Sequence, residues 1–352
     1  MPQSAPPSPP RYAVILAGGT GSRFWPASTP DRPKQLLPLG GDRPLIVETI
    51  ERARQLVGHD RVRVLSGPEL VEPFRRVVPD LAPEHFLLEP VARSTAPVLV
   101  RAAAEIEARD PGALMVSLHA DHAISPFEGF RETIDRAAAA AENRGSLVCV
   151  GIEPARPETG YGYVLAGTEL DPGVHAADRF IEKPDLETAR RFVADGRFLW
   201  NTGIFVWRAR DLLAAARRWT RELSRAFPRL DAGDVEGFFR EAEPVSVDVG
   251  VLERAEDVEV ARASFGWDDV GTWASLARTR QRDRDGNAVV GTARVVESTD
   301  NVVWAEGGRI VLFGVSDLVV VRSGEETLVT TRERASQLKR LLARLASGEE
   351  GP

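Results

Sequence analysis

The sequence predicts an α/β fold, with a Rossmann-like, mostly parallel sheet, helices on both of its faces and a small β domain at the C-terminus. Two observations predict it. In the first half of the chain, short apolar runs alternate with segments of helical periodicity, an order that places helices on both faces of a parallel sheet. From Gly286 to Thr331, β-branched runs alternate with turn residues, without a helical pattern. Ligands of parallel sheets bind beyond the carboxyl ends of the strands, so we expect the functional residues in the loops that follow them.

The elements of this sheet follow in order along the chain. Five apolar runs are predicted as buried strands, at residues 12–17, 61–66, 85–89, 113–118 and 146–152. Apolar residues at helical spacing predict helices at residues 45–57 and 98–106, and the alanine-rich segment 127–143 is a strong helix former. A last helix is predicted at residues 332–346, with one apolar face formed by Leu338, Leu341, Leu342 and Leu345.

Changes in composition divide the chain into three predicted parts. Residues 1–10 contain five prolines and no apolar core, which predicts a disordered tail rather than a signal peptide or a strand. An α/β domain is expected at residues 11–283, and a β domain with the terminal helix at residues 284–352. The second domain shows no catalytic cluster, so its expected role is packing or the association of two subunits.

The bulk composition limits the classes of function that fit the chain. A net charge of −7 over 352 residues gives no general attraction to nucleic acid or to an anionic membrane, and no apolar stretch has the length of a membrane span. The single cysteine, Cys149, excludes an internal disulfide and is expected to be a buried strand residue. A cytoplasmic enzyme fits these features. A phosphate-rich ligand would require positive charge concentrated at one place.

Positive charge is concentrated after the first predicted strand, where residues 18–23 read GGTGSR and Lys34 follows in the segment PKQ. Glycines let backbone N–H groups approach phosphate oxygens, and Arg23 and Lys34 add positive charge. The loop is not a P-loop, because Ser22-Arg23 stands where Lys-Ser/Thr is required, and Phe24 breaks the dinucleotide-binding spacing. A turn that merely connects a strand to a helix remains the alternative interpretation.

Six motifs, in order, give the chain a more specific resemblance. The segments GGTGSRFWP and PKQLLPLGG resemble the signature of the sugar-nucleotide pyrophosphorylases, and the Trp-Pro is characteristic of mannose-1-phosphate guanylyltransferases. Five further segments resemble those of the family in the expected order: EP with RSTAP (residues 89–97), ADH (120–122), GYGY (160–163) with FIEKP (180–184), WNTGIF (200–205) and WDDVGTW (267–273). The resemblance covers residues 11–345 and implies the nucleotide-diphospho-sugar transferase type of fold.

The reaction that this resemblance implies explains the residue types. A phosphate oxygen of a sugar 1-phosphate attacks the α-phosphorus of a nucleoside triphosphate, and pyrophosphate leaves. Both reactants are polyanions, so the protein must align them and neutralise charge, without a protein nucleophile. Carboxylates suit Mg²⁺, which bridges phosphates. The resemblance implies Asp121 and Asp269 as the Mg²⁺ ligands, GTP and mannose 1-phosphate as substrates, and three catalytic residues, Arg23, Lys34 and Asp121.

The same resemblance implies two sets of binding residues. The nucleotide is expected to be bound by Gly18, Gly19, Thr20, Gly21, Ser22, Arg23, Lys34, Glu89, Pro90, Ser94, Thr95, Ala96 and Asp121. The sugar phosphate is expected to be bound by Tyr161, Gly162, Glu182, Lys183, Asn201 and Gly203. In this set Glu182 accepts hydrogen bonds from sugar hydroxyls and Lys183 holds the phosphate.

Individual residues have competing interpretations. Asp121 could cap the helix that begins near Pro126, and His119 with His122 could form part of a zinc site, although no further His or Cys lies close in sequence. His119 also stands near the point where the family has a proline. Asp268 and Asp269 compete for the second metal position; the family pattern Asp-Val-Gly favours Asp269.

The function has alternatives as well. The same chemistry with another nucleoside triphosphate or with glucose 1-phosphate differs by a few hydrogen-bonding groups. A non-catalytic sugar-nucleotide-binding regulatory paralogue is the rival from another class, but Arg23, Lys34, Asp121 and Asp269 are all present. A homodimer is expected to form through the C-terminal β domain.

Overall fold

The chain folds around a nine-stranded mixed sheet in a computed structural model that describes residues 9–19 and 21–347. Most of the predicted tail and Thr20 lie outside the described residues. The order of strands is β3-β2-β1-β4-β9-β6-β10-β8-β7. The nine strands are β1 (Arg11–Leu16), β2 (Val62–Ser66), β3 (Phe86–Leu88), β4 (Leu114–His119), β6 (Leu147–Ile152), β7 (Tyr163–Asp171), β8 (Val174–Ile181), β9 (Phe198–Arg208) and β10 (Val258–Arg262).

The predicted α/β fold with helices on both faces of the sheet is confirmed; most strands share one direction, but the sheet as a whole is mixed. The strands β1 to β4 of this sheet pair in parallel, as do β6 and β10, whereas β8 and β9 run against the others. All five predicted strands form within the sheet. The helices of the chain are α1 (Leu45–Val57), α2 (Val71–Val77), α3 (Thr95–Arg109), α4 (Phe127–Arg144), α5 (Leu186–Asp195), α6 (Ala209–Trp219), α7 (Phe227–Asp231), α8 (Val235–Glu241), α9 (Leu276–Thr279) and α10 (Leu338–Ala346).

Both faces of the sheet are covered, because its strands are apolar on both sides. One core joins α3 and α6 to side chains such as Trp207, and the other joins α1, α2 and α4 to side chains such as Ile15. Cys149 is fully buried in β6, as expected, and its Sγ donates to the carbonyl of Glu259 at 3.3 Å. Within the described residues no helix is long and apolar enough to cross a membrane.

The C-terminal part forms a separate four-stranded sheet that packs against the first part of the chain. Its strands are β12 (Ala288–Val296), β13 (Val302–Phe313), β14 (Leu318–Ser323) and β15 (Glu326–Thr331). A third core joins its Trp304 to Phe24 and Trp273. The last helix is shorter than predicted, because a 3₁₀ turn occupies Arg334–Gln337. Its predicted leucine face is only partly buried: Leu338 is 3% exposed but Leu345 is 57% exposed.

Candidate active site

The glycine-rich loop follows β1 and wraps around Lys34. Gly21 has φ 63°, and a Cβ placed there would overlap Cβ of Lys34, so a larger residue would push the loop away. The buried amide of Gln35 donates from Nε2 to the carbonyl oxygens of Gly18 at 2.8 Å and Gly19 at 3.2 Å. These hydrogen bonds fix the backbone of Gly18 and Gly19 beside the side chain of Gln35.

Lys34 connects the two aspartates that the resemblance assigns to a metal. Its Nζ donates to Oδ2 of Asp121 and to the backbone carbonyl of Asp269, both at 2.8 Å. Asp121 follows β4, and Asp269 follows β11 (Gly266–Asp268), which pairs with β5 (Ala123–Ser125). This two-stranded ribbon brings together two carboxylates that are far apart in sequence. Asp121 does not cap α4, which has Pro126 at its N-cap and no side-chain cap.

A cavity of about 320 Å³ opens between these elements. It is lined by Gly18, Gly19, Gly21, Ser22, Arg23, Phe24, Lys34, Gln35, Asp121, Gly271 and Lys339. Three of the lining side chains are cations and one is a carboxylate. Arg23 is exposed, and within the described part of the chain it forms no ion pair. We call this space the phosphate cavity, because its charge and its glycine backbone suit a polyanion.

The neighbouring carboxylates Asp268 and Asp269 have different partners. Asp268 accepts hydrogen bonds from Nε–H of Arg278 at 2.6 Å and from the backbone N–H of Val270 at 2.8 Å. Both of its oxygens therefore have donors within the protein. Oδ1 of Asp269 accepts from the Tyr161 hydroxyl at 2.6 Å and from the Gly271 N–H at 3.1 Å. Its Oδ2 has no hydrogen-bond donor among the described residues, which favours Asp269 over Asp268 as a ligand.

Burial and neighbouring charges shift the pKa values of the two carboxylates, Asp121 and Asp269. Burial acts to raise the pKa of Asp121, but the ammonium of Lys34 and the two nearby imidazoles outweigh it and hold that pKa below its usual range. Burial raises the pKa of Asp269, and the charges of Asp268 and, to a smaller extent, Asp121 add to the rise. A cation between the two carboxylates would relieve this repulsion. Two hard oxygen donors beside a phosphate-sized cavity fit Mg²⁺.

His119 and His122 also lie at this place. Their rings stack at 4.5 Å, and ligand atoms of His119, Asp121 and His122 lie within 4.8 Å of one another. Nδ1 of His122 accepts from the indole N–H of Trp267 at 3.1 Å, so one of its two nitrogens is already used. Burial lowers the pKa of both imidazoles. The structure thus brings three potential zinc ligands together but leaves only one nitrogen of His122 free.

The predicted sugar-phosphate residues form one hydrogen-bonded group beside Asp269. The N–H of Asn201 donates to the carbonyl of Gly162 at 2.8 Å, and its side-chain oxygen accepts from the Gly203 N–H at 3.1 Å. Lys183 pairs with Glu182, and a Cβ at Gly162 would lie 2.6 Å from Oε2 of Glu182. The hydroxyl of Tyr161 links this group to Asp269, and burial raises the pKa of that hydroxyl.

The predicted base-binding residues lie at the end of β3 and the start of α3. Oε1 of Glu89 accepts the N–H of Arg93 at 3.0 Å, and burial raises the pKa of Glu89. Oγ1 of Thr95 accepts from the N–H of Val247 at 2.9 Å. Three further predicted residues accompany them, Pro90, Ser94 and Ala96. This base segment (residues 89–96) makes its contacts with Val245 and Val247, and none of its residues lines the phosphate cavity.

Two site residues were missed by the sequence reasoning. Asp248 begins a π-helical segment (Asp248–Leu252) and accepts from Nδ2 of Asn201 at 2.7 Å. Burial, together with the charge of Glu182, raises the pKa of Asp248 to about 6. Lys339 reaches the phosphate cavity from α10. One signal could have found it, since the chain has only three lysines, and the other two were already site candidates.

The chain is similar to known proteins along most of its length. Residues 12–286 match the nucleotidyl transferase family, and residues 291–345 match a mannoseP isomerase/GMP-like beta-helix domain. A mannose-1-phosphate guanylyltransferase of Klebsiella pneumoniae is 35% identical over 341 residues, covering 93% of this chain and 72% of that protein. The xanthan biosynthesis protein XanB of Xanthomonas campestris is 34% identical over 351 residues, covering 95% and 73%. The crystal structure described as a mannose-1-phosphate geranyltransferase from Thermus thermophilus superposes with a TM-score of 0.88 at 34% identity, covering 96% of this chain and 99% of that one.

Proposed function

The chain belongs to the nucleotidyl transferase family and is a nucleotidyltransferase, and on that premise we propose that it transfers GMP from GTP to α-D-mannose 1-phosphate, giving GDP-mannose and pyrophosphate. One observation carries the proposal: the Lys34 ammonium holds Asp121 and the backbone of Asp269 at 2.8 Å beside a glycine-rich, cation-lined cavity. The names of the similar proteins from Klebsiella pneumoniae and Thermus thermophilus support mannose 1-phosphate as the acceptor.

In the proposed reaction a bond forms between a phosphate oxygen of mannose 1-phosphate and the α-phosphorus of GTP. The bond from that phosphorus to the bridging oxygen breaks, and pyrophosphate takes the electron pair. Arg23 and Lys34 stabilise the charge that gathers on the leaving group. Asp121 and Asp269 would hold Mg²⁺, which neutralises phosphate charge when bound. No protein group has to form a covalent bond.

The sugar segment accounts for the position of the acceptor. Glu182 accepts from mannose hydroxyls, and Lys183, which is exposed, binds the sugar's phosphate as a mobile point charge. Asn201, with its side chain fixed on both sides, and the backbone of Gly162 and Gly203 complete the site. Because this group is joined to Asp269 through Tyr161, the acceptor would be held next to the metal.

The free carboxylate oxygen of Glu89 is an argument for guanine as the base of the nucleotide. One of its oxygens receives the Arg93 N–H, and its other oxygen has no hydrogen-bond donor in the described part of the chain. Guanine presents two neighbouring N–H donors on one edge, whereas adenine does not. A carboxylate at this place would therefore favour GTP over ATP.

The test is pyrophosphate release by the full-length protein with Mg²⁺ and mannose 1-phosphate, with GTP, ATP, UTP and dTTP compared in parallel. We expect GTP to dominate, and release to depend on the sugar phosphate. Lys34→Met is the matched control, because it removes the bridging ammonium and should abolish release. If release were fastest with another triphosphate, or with glucose 1-phosphate as acceptor, the protein would have the same chemistry as a different member of the family. No release with any pair would favour a non-catalytic sugar-nucleotide-binding protein instead.

A further inference from the structure

Among the described residues, Lys339 is the one side chain of the C-terminal domain that lines the phosphate cavity. We propose that Lys339 is a phosphate-binding residue of the active site, which contacts the part of the nucleotide that leaves as pyrophosphate. The C-terminal domain then completes the site of its own chain, in addition to the packing and association roles expected of it. This inference rests on the proposed function.

The packing of α10 explains why Lys339 reaches the cavity. Ala335 and Leu338 are buried at 0% and 3% exposure, in the core that contains Phe24 and Trp273. Phe24 belongs to the turn Ser22–Phe24, directly after the glycine-rich loop. Lys339 follows the buried Leu338 directly, in the first turn of α10, and so lies next to this packed contact. The same contacts that anchor the helix therefore place this ammonium beside the loop.

Other side chains of α10 line a second groove. Arg340, Leu341 and Arg344 line a different groove, together with residues of β15, and Lys339 does not take part in it. The cationic side chains of the helix thus line two different sites, this groove and the phosphate cavity. Of these described cations, Lys339 alone belongs to the cavity that holds Lys34 and Asp121.

The state of its ammonium distinguishes Lys339 from the other two lysines. Lys34 is paired with Asp121, and Lys183 is paired with Glu182. Across residues 9–19 and 21–347, the ammonium group of Lys339 has neither an ion pair nor a hydrogen bond. The one carboxylate that lines the cavity in this part of the chain is already held by Lys34, so Arg23 and Lys339 leave it positively charged. A polyphosphate supplies the missing negative charge, with several oxygens for mobile lysine donors.

The test measures binding of inorganic pyrophosphate with Mg²⁺ by titration calorimetry, on the full-length protein and without catalysis. For Lys339→Met we expect Kd to rise about 10- to 100-fold, as for loss of a hydrogen bond to a charged group, and Lys339→Arg should recover part of the affinity. The dependence of binding on salt should also weaken, because one cation fewer contacts the ligand. Arg340→Met is the matched control, since it removes a neighbouring cation outside the cavity and should leave Kd unchanged.

Activity gives a second readout. In the direction that consumes pyrophosphate and GDP-mannose, Lys339→Met should raise KM for pyrophosphate and leave KM for GDP-mannose unchanged. Because Lys339 is exposed, thermal unfolding of the variants should match that of the wild type.

The outcomes separate the two claims. Wild-type turnover and pyrophosphate binding, with an unchanged Kd in Lys339→Met, would overturn the role of Lys339 and leave the proposed function standing. An equal loss in Arg340→Met would also overturn it, since the effect would then come from the general charge of the helix. A wild-type protein that neither binds pyrophosphate nor turns over would overturn the proposed function itself.

Discussion

Arg23 and Lys339 face the phosphate cavity without an ion pair in the described part of the chain, whereas the polar groups of the sugar segment bond to one another. Asn201 is held by Asp248 and Gly203, and Glu182 is paired with Lys183. The phosphate side thus has positive charge that only a ligand neutralises. On the sugar side, Asn201 is fixed before a ligand arrives, and the other polar side chains already have partners within the protein.

This difference teaches how the two tasks of the reaction are divided. Attraction between charges depends little on direction, so flexible cations on loops and on α10 suffice for a polyphosphate. Discrimination between sugars depends on a few hydrogen bonds, and these require fixed donors and acceptors. Changes on the phosphate side should therefore lower turnover with every substrate, and changes on the sugar side should alter the choice of substrate.

After the loss expected for Lys34→Met, the largest expected effect comes from Asp269, where the two sides meet. Asp269→Asn keeps an oxygen that can accept from the Tyr161 hydroxyl, but it removes the negative charge that would hold Mg²⁺. We expect kcat to fall about 10²- to 10³-fold, as for other losses of transition-state charge stabilisation. Steady-state kinetics over a range of Mg²⁺ concentrations measure this.

The same variant should unfold at a temperature close to that of the wild type, because its hydrogen bonds are retained. Near-normal, magnesium-dependent turnover in Asp269→Asn would remove Asp269 from the metal site and break the division between the two sides.

A smaller and more selective effect is expected at Glu182. Glu182→Gln weakens hydrogen bonds from the sugar hydroxyls and leaves the phosphate cavity unchanged. KM for mannose 1-phosphate should rise about 10- to 100-fold, the range for a hydrogen bond to a charged group, with KM for GTP unaffected. Glu187→Gln is the control, because Glu187 is an exposed residue of the following helix. A matching rise in both KM values would mean that Glu182 does not act on the sugar alone.

Local sequence pattern singles out the residues that line the phosphate cavity more readily than some of the other residues near the site. Arg23 and Lys34 stand within contiguous motifs, and Asp121 follows a buried strand, so local pattern was enough to single them out. The five apolar runs likewise predicted their strands, because burial on both faces leaves a continuous apolar signal. The insertion of β9 between β4 and β6 has no such signal, since strand order depends on packing across the whole sheet.

Asp248 and Lys339 could not be assigned from pattern for a related reason. Asp248 lies in the apolar segment 245–252 and becomes a site residue only because its segment packs beside Asn201. Lys339 stands on an amphipathic helix, and its role depends on how the C-terminal domain docks against Phe24. Contacts between distant segments create both positions.

Asp248 also allows a test of what the fixed sugar side costs in stability. Its folded pKa of about 6 lies above the unfolded value of about 3.9, so the folded state binds the proton more tightly. The stabilising contribution of that proton is complete below about pH 4 and is lost as the pH rises through about 6. Asp248→Asn cannot titrate, and its amide oxygen can still accept from Asn201.

Urea unfolding of Asp248→Asn and the wild type should therefore diverge as the pH rises. The two free energies of unfolding should be similar near pH 4, and at pH 7.5 the variant should be more stable by about 1–2 kcal/mol, after allowance for partial exposure. A constant difference across this range would show that Asp248 is ionised throughout and that the sugar side carries no such cost.

The smallest effect on catalysis is expected at the outer face of the C-terminal sheet. Val296, Val311 and Phe313 are 45%, 60% and 68% exposed, and β-pairing places Val296 opposite Phe313. Such an apolar patch on a protein surface is typical of an association site, and it supports the expected homodimer. Phe313→Glu should shift the mass measured by sedimentation at micromolar concentration from dimer to monomer.

Both kcat and the KM values of Phe313→Glu should stay unchanged, because none of the three residues lines the phosphate cavity and every proposed site residue comes from one chain. Val329→Glu, at an exposed valine on the other edge of the same sheet, should leave the mass unchanged. A monomeric wild type would contradict the homodimer. A loss of turnover that accompanies dissociation would show that the partner subunit supports the site, and the contrast between phosphate and sugar sides would then have to include a second copy of the chain.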